Sequence, residues 1–267
     1  MTQYKLYKHM WVPQGEIHHL APLGQSEISG LLKKGGVVVM NTYDFDCKDE
    51  TSYWYVIKDT YGGIEELSAK MRNQVRKSLK TYEIEKVDRN FFLTIAREIF
   101  NKALTTYKVK AKPMDEKTFK RTSETWTENA DFWCAFLREG HIPVAVAVNG
   151  VYEESVQYWV LKADTTYLHN STYPYYGLIH TMNEYYLNQQ GKRYVTDGAR
   201  SLTLHSNIQD FLIEKFNFRK AYCNLQVEWA FWMKPIVKFV YPLKKWVKST
   251  SLRAFFNLEM IRRGTSI

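Results

Sequence analysis

The chain has 267 residues, of which 45% are hydrophobic, 24% charged and 15% aromatic; this excludes a disordered or low-complexity polymer and leaves room for one large domain or two smaller ones. Its 37 Lys and Arg against 28 Asp and Glu give a net charge of +9, which favours anionic partners (phosphorylated ligands, nucleic acid or a membrane surface) without choosing among them. Cys47, Cys134 and Cys223 stand singly, so neither a disulfide framework nor a zinc site is expected.

The opening residues, interrupted by Lys5, Lys8 and His9, do not read as a signal peptide, and no stretch approaches the ~20 apolar residues of a membrane span. The expectation is a cytoplasmic protein, peripheral to the inner face of a membrane. Residues 1–60 read as short strands and loops, with Gly35-Gly36 turning into Val37–Val39 and an alternating strand from Ser52 to Ile57. From Ile64 to Tyr82 the apolar positions Ile64, Leu67, Met71, Val75, Leu79 and Tyr82 recur every three or four residues and predict a helix. Its other face carries Lys70, Arg72, Arg76, Lys77 and Lys80, read first as a solvated face and second as a phosphate-binding stripe.

A second helix is expected after the capping residue Asp88, with Phe92, Ile95, Ile99 and Ala103 inward, and a third after Pro113 and Asp115. The period then changes to two. Phe132–Leu137, Ile142–Val148 and Ser155–Leu161 read as an antiparallel meander, with a glycine turn at 138–141 and a hairpin turn at Asn149-Gly150. Tyr173-Pro174 opens a helix carrying Leu178, Met182, Tyr185 and Tyr186 and ending near Gly191; Tyr194–Thr196 is a short strand. Ser206–Gln209 has the form of a capping box for a helix buried through Ile208, Phe211, Leu212 and Phe216, and a last strand covers Tyr222–Trp229.

The segment from Gly191 to Ser201, Tyr-Val-Thr-Asp-Gly-Ala-Arg-Ser at its heart, followed by Asn207–Phe211 and Phe216-Asn217-Phe218, resembles the corresponding stretch of FemAB-like acyltransferases of the GNAT superfamily. The basic run Met71–Lys80 is similar to the helix those proteins place early in the chain. The resemblance implies an α+β GNAT fold: a mixed central sheet flanked by helices, with a degenerate N-terminal half. It divides the chain into 1–87, the degenerate half with the basic helix; 88–233, the acyltransferase domain; and 234–267, a basic aromatic tail. The glycine-rich pyrophosphate signature of GNAT proteins is missing between Leu161 and Gly177, where Gly177 alone is present.

What the resemblance implies for function is an N-acyltransferase moving an acyl or aminoacyl group from a thioester or tRNA donor to an amine of a cell-envelope or lipid precursor. The other reading is a non-catalytic GNAT-fold binding module at a membrane surface. The catalytic candidates are Asp197, as base or as the group that orients the amine, Arg200, as a bidentate anion clamp, and His205, as an alternative base. Tyr175, Tyr176 and Gly177, at the helix start, would offer backbone N–H groups to an acyl-CoA or related acyl thioester, although the same sequence also suits a plain proline-led helix. Ser201, Tyr158 and Tyr173 are expected to line the acceptor side. No HExxH-like spacing occurs among the histidines, and no metal is expected. The partners are a small-molecule or lipid-linked amine and, through the tail, an anionic membrane surface or packing on the rest of the chain; tRNA is a further candidate and DNA is not expected. The tail interleaves Phe231, Trp232, Phe239, Tyr241, Trp246, Phe255 and Phe256 with lysines and arginines against the single acid Glu259.

Overall fold

From Tyr4 the chain forms strands β1 (Tyr4–Tyr7) and β2 (Met10–Pro13), helix α1 (Gln25–Lys33), and strands β3 (Val38–Tyr43) and β4 (Tyr53–Lys58). Helix α2 (Ala69–Thr81) leads directly into β5 (Tyr82–Val87), followed by α3 (Arg89–Ala103), α4 (Glu116–Ser123) and strands β6 (Ala130–Leu137), β7 (Ile142–Val151) and β8 (Ser155–Ala163). Helix α5 (Pro174–Asn183), a π-turn through Gln189, β9 (Tyr194–Ala199), α6 (Ile208–Phe216), β10 (Arg219–Trp229), α7 (Met233–Val240) and α8 (Thr250–Arg262) complete it. The structure, a computed structural model, describes residues 3–104, 112–202, 207–240 and 250–264.

The chain divides into two compact units. One comprises residues 1–56, 199–209 and 219–267; the other comprises 57–198 and 210–218. The breaks expected at 87/88 and 233/234 fall inside the second and first unit respectively. In the first unit the strand order is β1-β2-β3-β10-β4, with β3 antiparallel to β10 and parallel to β2. In the second the order is β9-β8-β7-β6-β5; β5 to β8 are antiparallel neighbours, and β8 and β9 are parallel. Each unit thus carries strands with helices against them, the mixed α+β architecture expected.

Local chemistry explains most boundaries. Asp88 and Asp115 accept hydrogen bonds from the Phe91 and Thr118 amides and start α3 and α4 as expected, and Ser68 does the same for α2 through Met71. Helix α2 is shorter than its apolar period, because Ile64–Glu66 form a separate 3-10 turn and Tyr82 already belongs to β5. The buried position in its last turn is Ser78, not Leu79, and in α3 Ala96 and Phe100 are buried where Ile95 is only partly so. Strand β5 has no counterpart in the sequence expectation: it is an edge strand whose Glu83, Glu85 and Lys86 mask the alternation.

Asn149-Gly150 is not a turn. Both residues continue β7, and the reversal comes at 152–154, where the Tyr152 amide bonds the Ser155 carbonyl. Glycine is needed at 150 for another reason: Trp159 is an extra residue in β8, between Tyr158 opposite Asn149 and Val160 opposite Val148, and its indole fills the space above Gly150. A Cβ at Gly150 would fall 2.0 Å from Trp159 Cζ2. Gly150→Ala is therefore expected to cost about 2–3 kcal/mol in urea unfolding. In a Trp159→Leu background the same change should cost little, which separates the clash from a loss of backbone freedom.

The tail does not behave as one piece. Helix α8 packs into the first unit, burying Phe256, Leu258 and Ile261, while the Ser52 hydroxyl donates to the Ile261 carbonyl. Glu259 is buried there. Burial alone would raise its carboxyl, but hydrogen bonds from Arg262, Arg263 and the Trp229 indole hold it down to about 2. A depressed carboxylate contributes stability above its unfolded pKa and loses it as pH falls toward the folded value, so the contribution disappears between about pH 4.5 and pH 2. Glu259→Gln should lower neutral-pH stability by about 2 kcal/mol, with the gap to wild type closing in melts taken below pH 4. No helix among the described residues is long and apolar enough to cross a membrane.

Candidate functional site

The second unit contains a fork between parallel strands. The β8–β9 ladder pairs Ser155 with Tyr194, Val156 with Val195 and Gln157 with Thr196, and stops there although β8 continues to Ala163 and β9 to Ala199. Tyr158 and Asp197 are the first residues beyond the last pair on each strand. The bulge at Trp159 bends β8 at this point, the usual effect of an extra residue in one strand. On the other strand Gly198 adopts φ 92°, a conformation open to glycine, and its amide bonds Thr196 Oγ1 at 2.9 Å.

Asp197 is half-buried. Tyr158 is buried, and its hydroxyl donates to Asn183 Oδ1 of α5 at 2.7 Å. Burial raises the Tyr158 phenol well above its ordinary pKa, with further contributions from Tyr186 and from the negative charge of Asp197. Tyr158 is therefore a neutral hydroxyl with a fixed partner beside a carboxylate. Asp197 is the carboxylate at the fork.

The start of α5 is built differently from a phosphate loop. Tyr173 is left-handed at φ 59°, as is Ser171, and Pro174 occupies the first helical position. The Tyr173 carbonyl accepts from Ser78 Oγ at 2.7 Å, and that same oxygen accepts the Gly177 N–H at 3.0 Å; the Tyr176 amide bonds the Tyr173 carbonyl. Two of the three amides expected to hold a donor are thus committed within the chain. Gly177 is the residue that lets α5 approach α2. Tyr175 and Tyr176 are half-buried, the Tyr176 ring packing edge-on against Phe211. The turn thus does not offer the run of open amides that a pyrophosphate cradle uses, in keeping with the missing glycine signature.

Around Tyr173 the basic helix divides its labour. Arg72 and Arg76 pair with Glu65, whereas Lys77 lies over the Tyr173 ring at 6.0 Å. Hydrogen bonds from Gln74 and Ser171, with Lys77 and Lys70 nearby, lower the pKa of the Tyr173 phenol. The result is an exposed cationic rim on the phenol at the mouth of α5.

Arg200 belongs to the first unit. Its guanidinium lies 4.3 Å from the Trp54 ring centre, Nη1 donates to the Ser52 carbonyl at 2.6 Å, and its amide bonds the Trp54 carbonyl. Lys220 Nζ lies over the same indole at 4.3 Å. Part of the clamp expected of Arg200 is thus used to hold β4. Arg200→Ala should cost about 2 kcal/mol of stability from the lost cation–π contact and hydrogen bond, visible as a lower Tm. Ser201 is exposed, and Gln209 donates to the Ala199 carbonyl; the capping box expected at Ser206–Gln209 reaches outside the described residues. Ser206 and His205 lie outside the described residues.

Sequence reasoning missed one polar cluster. In the second unit the buried Lys58 ammonium lies 2.7 Å from Glu66 Oε1, and Tyr61 and His180 approach to 3.5 Å, with Glu184 one turn beyond His180 on the chain. Burial and the Lys58 charge lower the His180 pKa against the opposing pull of Glu184 and Glu66, and burial with the same two carboxylates raises Tyr61 to about 12. Only the His180/Glu184 spacing was a local sign of it. Two further groups, Glu16 with His18 and His19, and Glu83 and Glu85 with His141, bring three potential ligand atoms within 4.8 Å of one another. Neither corresponds to a sequence motif.

No protein-family model matches the sequence, and no curated protein matches it. Among solved structures, the chain is similar to FemX, with a TM-score of 0.54 and 10% identity over 83% of this chain and 72% of that one. It is similar also to L-PGS from Bacillus licheniformis, with a TM-score of 0.50 and 12% identity over 90% of this chain and 83% of that one. At these identities the likeness establishes the fold alone, the one the chain shares with FemX and L-PGS.

Proposed function

We propose that the chain is an N-acyltransferase that moves an activated acyl or aminoacyl group, from a thioester or tRNA donor, to an amine of a cell-envelope or lipid precursor. The observation that carries this reading is the β8–β9 fork, with Asp197 and Tyr158 as the first residues past the last pair. A fork between parallel strands leaves an opening in which a donor carbonyl and an acceptor amine can meet.

In this reading the amine lone pair attacks the donor carbonyl carbon. The new C–N bond forms as the bond to the departing sulfur or oxygen breaks, and the proton leaving nitrogen passes to Asp197, directly or through one water, and from there to that departing atom, which leaves as a thiol or hydroxyl. Direct attack requires no enzyme nucleophile. The left-handed backbone at Ser171 and Tyr173 also favours a functional role for this loop, because such strain persists where the surroundings impose it. The commitment of the Tyr176 and Gly177 amides favours a donor gripped by side chains, and Lys70, Lys77 and Tyr173 are the groups nearest the α5 mouth.

The test is transfer of label to a set of amine acceptors from acyl-CoA and from aminoacyl-tRNA, at low and high salt. A tRNA donor gripped through phosphates should lose affinity steeply as salt rises. Transfer from either donor supports the reading. Absence of transfer, and of any thermal shift with either donor, favours the second reading, a non-catalytic module at a membrane surface.

A further inference from the structure

The geometry points to α7 and the two residues before it as a surface that docks on an anionic lipid bilayer. Among the described residues eight large hydrophobic side chains are exposed, and four of them, Phe231, Trp232, Ile236 and Phe239, fall within nine positions. Their exposures are 91%, 57%, 46% and 76%. Trp232, Ile236 and Phe239 are spaced i, i+4, i+7, which places them on one helical face. Val237, on the opposite side, is buried. Among the described side chains of this helix Val237 is the buried one, and the stripe of Trp232, Ile236 and Phe239 faces outward.

The charge pattern selects the occupant. Lys234 and Lys238 are exposed one turn apart on the side of the helix away from the stripe, Lys234 with Glu228 at 3.5 Å, and no acidic residue occurs in the sequence between Glu228 and Glu259, while Lys244, Lys245, Lys248 and Arg253 follow. Exposed aromatic side chains on a segment whose charges are otherwise all basic match the interface of an anionic membrane, where rings enter the headgroup layer and long lysine side chains reach the lipid phosphates. A second copy of the chain would bring two basic segments together, so self-association is the poorer match. The inference deepens the lipid-acceptor reading above and rests on it for its purpose only; binding is measured without turnover, so a chain that docks but transfers nothing refutes the activity and not the surface.

The experiment is flotation of the full chain with phosphatidylcholine vesicles containing or lacking phosphatidylglycerol. Wild type should float with the anionic vesicles only, and less as salt rises. Phe231→Ser/Trp232→Ser/Phe239→Ser should weaken binding about tenfold or more, and Lys234→Gln/Lys238→Gln by about tenfold, with circular dichroism unchanged. If the triple variant does not fold, Phe231→Asp, at the most exposed position, reads the same loss. No flotation with anionic vesicles, or flotation of the variants equal to wild type, overturns the proposal. A solution dimer that the triple variant converts to a monomer assigns the face to a second copy and overturns it too.

Discussion

Gly177→Val is expected to lower stability by about 3 kcal/mol or more and Tm by roughly 10 °C. A Cβ at this position would lie 2.6 Å from Ser78 Oγ, 2.8 Å from Ile84 Cδ1 and 3.2 Å from Ser78 Cβ, so atoms of both α2 and β5 stand in its place. Helix α5 would have to retreat, breaking the hydrogen bonds in which Ser78 Oγ joins the Tyr173 carbonyl to the Gly177 amide. Ser78→Gly in a Gly177→Ala background removes the nearest obstacle but leaves that amide without its acceptor. The double variant should therefore be less unstable than the sum of the single ones, by about 1 kcal/mol in a double-mutant cycle. Additive losses would mean that the two residues do not oppose each other as described. Because this contact sets the start of α5, the same variants should also weaken donor binding.

The sequence was informative where a local rule acts alone. Caps at Asp88 and Asp115, the proline-led start of α5 and the meander of β6, β7 and β8 each follow from side chains within a few residues of where they act. Expectations failed where a distant partner decides. Asn149-Gly150 satisfies the chemistry of a tight turn, but Trp159, reaching back from the neighbouring strand, requires glycine there inside a strand. Gly177 has the appearance of a remnant phosphate loop; its absent side chain makes room for Ser78, almost a hundred residues earlier. Leu79 fits the apolar period of α2, yet Ser78 is the buried residue because its hydroxyl has work to do against α5.

The candidate site divides in the same way. Asp197 was legible because it follows a short strand and precedes a glycine, and Tyr158 because it alternates along β8. The point at which the two strands part was not, since a ladder that stops early leaves no mark in either strand's composition. Arg200 was recognisable as a cation near a strand end, but its contact with Trp54 depends on a strand far away in sequence. The Lys58, Glu66, Tyr61 and His180 cluster draws on two segments more than a hundred residues apart, and only folding assembles it.

Asp197 carries the chemistry proposed for the fork, and its removal should have the largest effect on rate. At neutral pH Asp197→Asn keeps the shape and loses the capacity to accept a proton. With a general base lost, turnover should fall by about a hundredfold to ten-thousandfold. The fall should appear in kcat with KM little changed, since the carboxylate acts on the proton and not on the donor's grip. The exchange is isosteric and Asp197 is only half-buried, which predicts a Tm close to wild type. The most direct measurement is kcat, KM and Tm of wild type and Asp197→Asn side by side, with whichever donor supports transfer. The account predicts a drop in kcat of at least about a hundredfold at unchanged Tm; undiminished turnover by the Asn variant, or its unfolding, would contradict it.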